Sequence, residues 1–283
     1  MTEPATTVGL LHPGSMGAAF GAQLRARGVT VLWCPDGRSD ATRRRAEQAG
    51  LEPAGFSGLL DRADVVLSLC PPAAAEELAA QVADHGFAER TYVEANAISP
   101  GRMRRIAALL PSAETIDAAV VGSPPVGGKS PTLYLSGERG RTDDIERLFT
   151  GTDIRTHDLG TEVGAASALK LSYSSYQKAS RVLAALAYGA AQAHGVGDEL
   201  LVIAARRTSS YLTETSYIPK TAARAWRWGP ELADAAALLT DAGLPDELML
   251  AAASTLEHWD SARDATLTIE EALELLRGDP GRG

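Results

Sequence analysis

The chain has 283 residues, 45% of them apolar, and a formal net charge of −9. That length supports one large domain or two ordinary ones with separate cores, and an acidic chain is poorly suited to binding nucleic acid or anionic membrane through its overall field. Two cysteines, Cys34 and Cys70, are too few for a disulfide framework or a cysteine metal site. Both lie in apolar runs and read as buried thiols, and no metal site is expected. No stretch approaches the roughly 18 apolar residues of a membrane span. The N-terminus lacks the basic and apolar segments of a secretory signal, so the cytoplasm is the expected location.

From residue 6 to about 160, apolar strand-like runs alternate with helix-like runs. The predicted strands cover 7–11, 29–33, 65–69, 91–94, 116–121, 132–135 and 154–157. The predicted helices begin near Ser15, Ser39, Ala73, Pro100 and Thr142. Several strands are almost wholly apolar, as expected when both faces are covered, and the alternation argues for a parallel, doubly wound sheet. After Gly160 the strand signals stop. Residues 165–194 read as one long helix, followed by shorter helices with breaks at Gly195–Gly197, Pro219, Gly229–Pro230 and Gly243–Pro245. The tail from Gly278 reads as disordered. The fold class is therefore an α/β N-terminal Rossmann domain plus an all-α C-terminal domain, joined by a long interdomain helix, with domains at 1–160 and 161–283.

The segment His12-Pro13-Gly14-Ser15-Met16-Gly17 closes the first strand and opens a helix. Gly14 and Gly17 occupy the second and third glycine positions of G-x-G-x-x-G; His12 replaces the first. The second glycine lets backbone approach a pyrophosphate, the third lets the helix pack on the strand, and the helix end offers free N–H groups. His12 serves either the cofactor or local packing. The acid that usually holds the adenosine ribose after the second strand is missing, since its place falls near Cys34 or Pro35. Arg38 and Ser39 follow, both able to bind a phosphate, so NADP is favoured over NAD. Arg43, Arg44 and Arg45 read as a solvated helix face or as further phosphate contacts. At the next two strand ends, the Cys70-Pro71-Pro72 turn offers a stiff wall for the nicotinamide ribose. Asn96 suits the ribose or carboxamide, with Ser99 the better helix cap.

The glycine turn, the Asn96-Ala97-Ile98-Ser99-Pro100 turn, Asp117-Ala118-Ala119-Val120-Val121-Gly122-Ser123 and Gly164-Ala165-Ala166-Ser167-Ala168-Leu169-Lys170 occur in that order. Together they resemble the β-hydroxyacid dehydrogenase superfamily, which includes 6-phosphogluconate and 3-hydroxyisobutyrate dehydrogenases and imine reductases. The details are similar to a branch with a 6-phosphogluconate-dehydrogenase-like C-terminal domain. The resemblance implies an NADP- or NAD-dependent oxidoreductase acting on a small hydroxy acid or related carbonyl compound, with Lys170 as general acid/base. It also implies a homodimer. The family asparagine four residues after the lysine is Ser174 here, and Lys178 lies a further turn along the same helix face. Gly122 and Ser123 correspond to the family's carboxylate-binding Ser-Gly-Gly, with the serine displaced. Gly122, Ser123, Ser174 and Lys178 are thus the candidate substrate contacts. Tyr211, Tyr217, Arg224, Trp226, Trp228 and His258 are candidates for lining the substrate cleft. An imine or keto reductase and a non-catalytic dinucleotide-binding protein are the alternatives.

Overall fold

The computed structural model describes residues 6–193, 195–206, 214–241 and 246–277. They divide into two compact units, 1–170 and 171–283. The expected boundary at 160 falls before the long helix; the division falls inside it, after Lys170.

The first unit is built on an eight-stranded sheet ordered β3-β2-β1-β4-β5-β6-β7-β8. The strands are β1 (Thr7–Leu10), β2 (Thr30–Trp33), β3 (Glu52–Pro53), β4 (Val65–Ser68), β5 (Thr91–Glu94), β6 (Glu114–Val121), β7 (Thr132–Ser136) and β8 (Arg155–Asp158). Helices α1 (Ser15–Ala26), α2 (Asp40–Gln48), α3 (Phe56–Arg62), α4 (Ala75–Asp84), α5 (Pro100–Leu109) and α6 (Arg139–Phe149) connect them. Alternate strand residues feed two cores. Leu10, Val31, Trp33, Leu67 and Val93 meet Phe20 and Leu24 of α1 and Phe149 of α6. Leu32, Val66 and Tyr92 meet Leu59 of α3, Val82 of α4 and Met103 of α5. The sheet is therefore buried on both faces, which is why its strands read as unbroken apolar runs.

Three features depart from the expectation. β7 runs antiparallel to β6. Only ten residues separate Val121 from Thr132, too few for the crossover that a parallel pair requires. β3 and α3 carry no apolar run long enough to announce them; β3 is a two-residue, exposed edge strand containing Pro53.

In the second unit, helix α7 (Ala165–Ala193) continues from the first unit and is followed by α8 (Gly197–Ala205), α9 (Tyr217–Ala222), α10 (Ala225–Asp241), α11 (Glu247–Glu257) and α12 (Ile269–Arg277). The core gathers Val182, Trp228, Leu232, Met249, Leu256 and the fully buried Trp259, whose indole N–H donates to Ala272 O at 2.7 Å. The predicted break at Gly229–Pro230 does not occur: α10 runs through Pro230. A proline in the second helical turn removes one backbone bond, while Ala225, Trp228, Leu232, Ala235 and Ala236 form one buried stripe on both sides of it. Pro219 sits in the first turn of α9, where proline is tolerated. The Gly243–Pro245 break and the tail from Gly278 lie outside the described residues. No described helix is long and apolar enough to cross a membrane, and no group of potential metal ligands occurs among the described residues.

Candidate active site

The C-terminal ends of β1 and β2 carry the glycine turn. Gly14 precedes α1, and the N–H groups of Ser15, Met16 and Gly17 belong to its first turn, where no helical acceptor exists. A Cβ on Gly17 would lie 2.3 Å from the His12 carbonyl oxygen, so only glycine lets α1 approach β1 this closely. A Cβ on Gly14 would lie 3.1 Å from the His12 ring, which stands over this glycine. Pro13 is buried, Ser15 is exposed, and Met16 packs against the core below.

His12 Nδ1 accepts from Arg38 Nη1 at 3.2 Å, and Arg38 Nη2 donates to Leu11 O at 2.9 Å. Burial, then the charges of Arg38 and Arg45, push the His12 pKa down to about 4, so the ring is neutral and its Nδ1 can accept. Arg45 Nε donates to Pro13 O at 3.4 Å and Arg43 Nε to Arg38 O at 3.3 Å. Arg44 is exposed. The arginine run is thus only in part a solvated face: two of its side chains fold back over the turn. Arg38 Nε is buried and has no hydrogen-bond partner among the described residues. Orphaned helix-end N–H groups, two half-buried guanidinium groups and an unpartnered donor fit the phosphates of a dinucleotide. Ser39 caps α2, its hydroxyl accepting from Thr42 N at 3.3 Å and pairing with Thr42 Oγ1 at 3.1 Å. That local role explains the serine without a ligand.

At the ends of β4 and β5 the polar groups turn inward. Pro71 is exposed and Pro72 half-buried, leaving the expected proline wall open at the surface, but the Cys70 thiol is buried. Burial, reinforced by Glu94, pushes that thiol up to about 12; burial also raises Cys34. Neither thiol is reactive at neutral pH. Asn96 is 4% exposed. Its Nδ2 donates to Ser68 Oγ at 3.0 Å, to Cys70 Sγ at 3.2 Å and to Glu94. Its amide nitrogen is therefore spent on the protein, and a ligand there can use only its oxygen. Ser99 is the cap of α5, accepting from Arg102 N at 3.3 Å.

In-register pairing lines up Ser68, Glu94, Asp117 and Ser136 across β4 to β7, all fully buried. Sequence reasoning passed over both acids. The available signal was an acid inside or at the end of an otherwise apolar strand, which a two-sided buried sheet does not tolerate without a task. The task of Asp117 is visible. Oδ2 accepts from Gly164 N at 2.9 Å, Ser167 N at 3.0 Å and Ser136 Oγ at 3.2 Å, and Oδ1 accepts from Ser167 Oγ at 2.6 Å. The carboxyl thus caps α7 from the sheet and fixes the first turn of the helix, five residues from its start at Ala165 to Lys170. Burial raises its pKa against the lowering effect of these four bonds.

Lys170 is half-buried on α7, and Ser174 and Lys178 follow at one-turn spacing. Ser174 is 2% exposed and its Oγ has no hydrogen-bond partner among the described residues. Lys178 is buried in an ion pair with Glu231 of α10, with Nζ 5.6 Å from the Trp228 ring centre. Its charge is matched inside the helical unit by Glu231, with which a substrate anion would compete. Gly122 has φ +128° and a Cβ there would lie 2.9 Å from Pro131 Cα, so the backbone alone demands glycine. Ser123 is exposed beside it. Trp228 is core, His258 is the exposed cap residue of α11, and Tyr217 stacks under Arg181 at 3.8 Å. Trp226 lies under Arg263 at 4.0 Å with its Nε1 buried and unpartnered, and Arg224 is exposed. Tyr211 lies outside the described residues.

Comparison with known proteins places this geometry. Over 97% of its length the chain superposes on the whole of a 3-hydroxyisobutyrate dehydrogenase from Mycobacterium tuberculosis bound to L-serine, with TM-score 0.75 and 18% identity. The chain has the fold of the β-hydroxyacid dehydrogenases. A reductive aminase from Aspergillus terreus, solved with NADPH and ethyl-5-oxohexanoate, shares the fold at TM-score 0.58 and 19% identity, over 96% of this chain and 99% of that one. In sequence, an uncharacterized 28.5 kDa protein of Methanothermus fervidus is 28% identical over 176 residues, 62% of this chain and 67% of the relative. Residues 191–259 match the family described as domain of unknown function (DUF1932). In open α/β sheets ligands collect at the C-terminal ends of the strands, the edge at which the β1–α1 glycine turn lies.

Proposed function

We propose that the chain is an NADP-dependent oxidoreductase that moves hydride between the nicotinamide and a small hydroxy acid or related carbonyl compound. The observation that carries this reading is the cluster at the glycine turn: free N–H groups of α1 beside Arg38 and Arg45, with Arg38 Nε buried and unpartnered. The 2′-phosphate of NADP supplies the anion such a cluster calls for, and the first carboxylate after β2, Asp36, already accepts from the Cys34 thiol. The turn around Gly14 and Gly17 would hold the pyrophosphate, and Pro71, Pro72 and Asn96 the nicotinamide end. When bound, the cofactor supplies or accepts hydride. Lys170 exchanges the proton of the substrate oxygen, and Ser123 and Ser174 offer hydroxyls for orientation. The similarity in fold to a dehydrogenase and to an NADPH-bound reductase supports the same reading.

The ion pair of Lys178 with Glu231 favours a second reading, an imine or keto reductase, because it leaves one anion anchor fewer and suits a neutral substrate. A panel of hydroxy acids and cyclic imines, assayed with NADP and NADPH respectively, separates the two. In either case Lys170→Met should lower kcat by about 100-fold or more while leaving cofactor affinity intact; full turnover in that variant contradicts the role of Lys170.

We also propose a homodimer. Leu169, Tyr173 and Tyr176 form an exposed apolar stripe along α7, and Val202, Ile203, Leu248 and Leu250 are exposed on α8 and α11. Light scattering at micromolar concentration tests it.

A further inference from the structure

Glu94 ends β5 fully buried, and the strongest influences on it among the described residues are burial and hydrogen bonds from Asn96, Ser68 and Tyr92. Tyr92 from its own strand, Cys70 and Ser68 from the end of β4, and Asn96 from the following turn surround it. Asp117 stands beside it in register on β6, but its oxygens are occupied by the start of α7. A lone buried carboxyl is expensive to keep, so its contacts carry information.

Oε1 accepts from the backbone N–H of Asn96 at 3.1 Å and also from Asn96 Nδ2, and Oε2 accepts from the Tyr92 hydroxyl at 3.2 Å. The other hydrogen of Asn96 Nδ2 faces Ser68 Oγ and Cys70 Sγ. This arrangement allows the Asn96 amide only one orientation. Turned over, its oxygen would face the acceptor Oε1 and both hydrogens would lose their partners. Oδ1 is left as the sole polar atom of Asn96 available to a ligand, at the C-terminal edge of the sheet beside the Pro71–Pro72 surface.

We infer that Glu94 is a positioning residue that locks the Asn96 amide so that Oδ1 receives a donor from the nicotinamide end of the cofactor, its carboxamide N–H or a ribose hydroxyl, and that it does so only when ionised. This rests on the dinucleotide reading above. An ionised Glu94 accepts from Asn96 twice. A protonated one keeps only a weaker, neutral carbonyl acceptor for Asn96 and must place its own O–H against Tyr92 or Ser68, which loosens the hold on the amide. Burial holds the carboxyl up to about 7, against the lowering effect of hydrogen bonds from Asn96, Ser68 and Tyr92, so both states are populated near neutral pH. Cofactor affinity should therefore rise as pH rises through neutrality.

The test is a fluorescence titration with NADPH between about pH 6 and pH 8 on the wild type, Glu94→Gln and Tyr92→Phe. The wild type should bind several-fold more tightly at the upper end. Glu94→Gln, which keeps an acceptor for Asn96 and cannot ionise, should lose the inflection that the wild type shows. Tyr92→Phe removes a donor to the carboxylate and should move the inflection to higher pH. Wild-type pH dependence preserved unchanged in a folded Glu94→Gln protein overturns the inference while leaving dinucleotide binding standing. Absence of NADPH binding by the wild type at every pH overturns both.

Discussion

The two ends of the sheet's C-terminal edge are built with opposite charge. Beyond β1 and β2, two guanidinium groups, Arg38 and Arg45, crowd one turn, tied to backbone carbonyls and to the neutral His12 ring. Beyond β4, β5 and β6, two acids are fully buried, Glu94 held by Asn96 and Tyr92 and Asp117 by the start of α7 and Ser136. The cations lie half-exposed and under-satisfied, the state of a site awaiting an anion. The acids are saturated with hydrogen bonds, the state of groups whose work is to hold other groups still. The difference teaches that charge at this edge is deployed in two ways, guanidinium groups left open to an anion at one end and carboxyls committed to holding their neighbours at the other; on the function proposed above these serve recognition and alignment.

The comparison is broken most severely at Asp117. Asp117→Ala would strand the N–H groups of Gly164 and Ser167 and the Ser136 and Ser167 hydroxyls in a dry site. Chemical denaturation should show a loss of about 3–5 kcal/mol, with Asp117→Asn recovering part of it. A loss below about 1 kcal/mol would mean that α7 is held by other contacts. On the cationic side, Arg38→Ala should weaken NADPH binding by roughly 10- to 100-fold, as expected for one charge-assisted contact, and weaken NADH binding far less. Equal losses for the two cofactors would place the 2′-phosphate elsewhere.

A smaller effect sharpens the same contrast. The carboxyl of Glu94 is held up to about 7 when folded, against 4.5 as its ordinary value. The folded state therefore binds the proton more strongly, so this group's contribution to stability is fully present below about pH 4.5 and is lost as pH rises to about 7; the gap is worth about 3 kcal/mol at most. Glu94→Gln should flatten that part of the stability profile and stabilise the protein above neutrality. An unchanged profile would mean that Glu94 is ionised throughout. Function and stability thus pull this residue in opposite directions, since the state that orients Asn96 is the state the fold tolerates least.

Much of this architecture is legible in the sequence because burial on both faces leaves uninterrupted apolar strands, and because Gly17 has no substitute where it stands, with Gly14 close under the His12 ring. The long helix beginning at Ala165 is equally legible from its periodicity. What escaped depends on distant partners. Lys178 reads as an anion contact until α10 brings Glu231, some fifty positions away in the chain, against it. Asn96 reads as a free ligand until Glu94 and Ser68 are seen to take its amide nitrogen. Pro230 reads as a helix end because local rules weigh the lost backbone bond and not the apolar stripe spanning it. Arg45 was one of a run of three arginines, and nothing local distinguishes the one that reaches Pro13 from the one that meets solvent.

The most direct test of the central claim is a side-by-side titration of the wild-type protein with NADPH and NADH. Saturable binding of NADPH, tighter than NADH by about 10-fold or more, is the result expected if the cluster at the glycine turn seats a 2′-phosphorylated dinucleotide. No binding of either cofactor, or equal affinity for both, would contradict it.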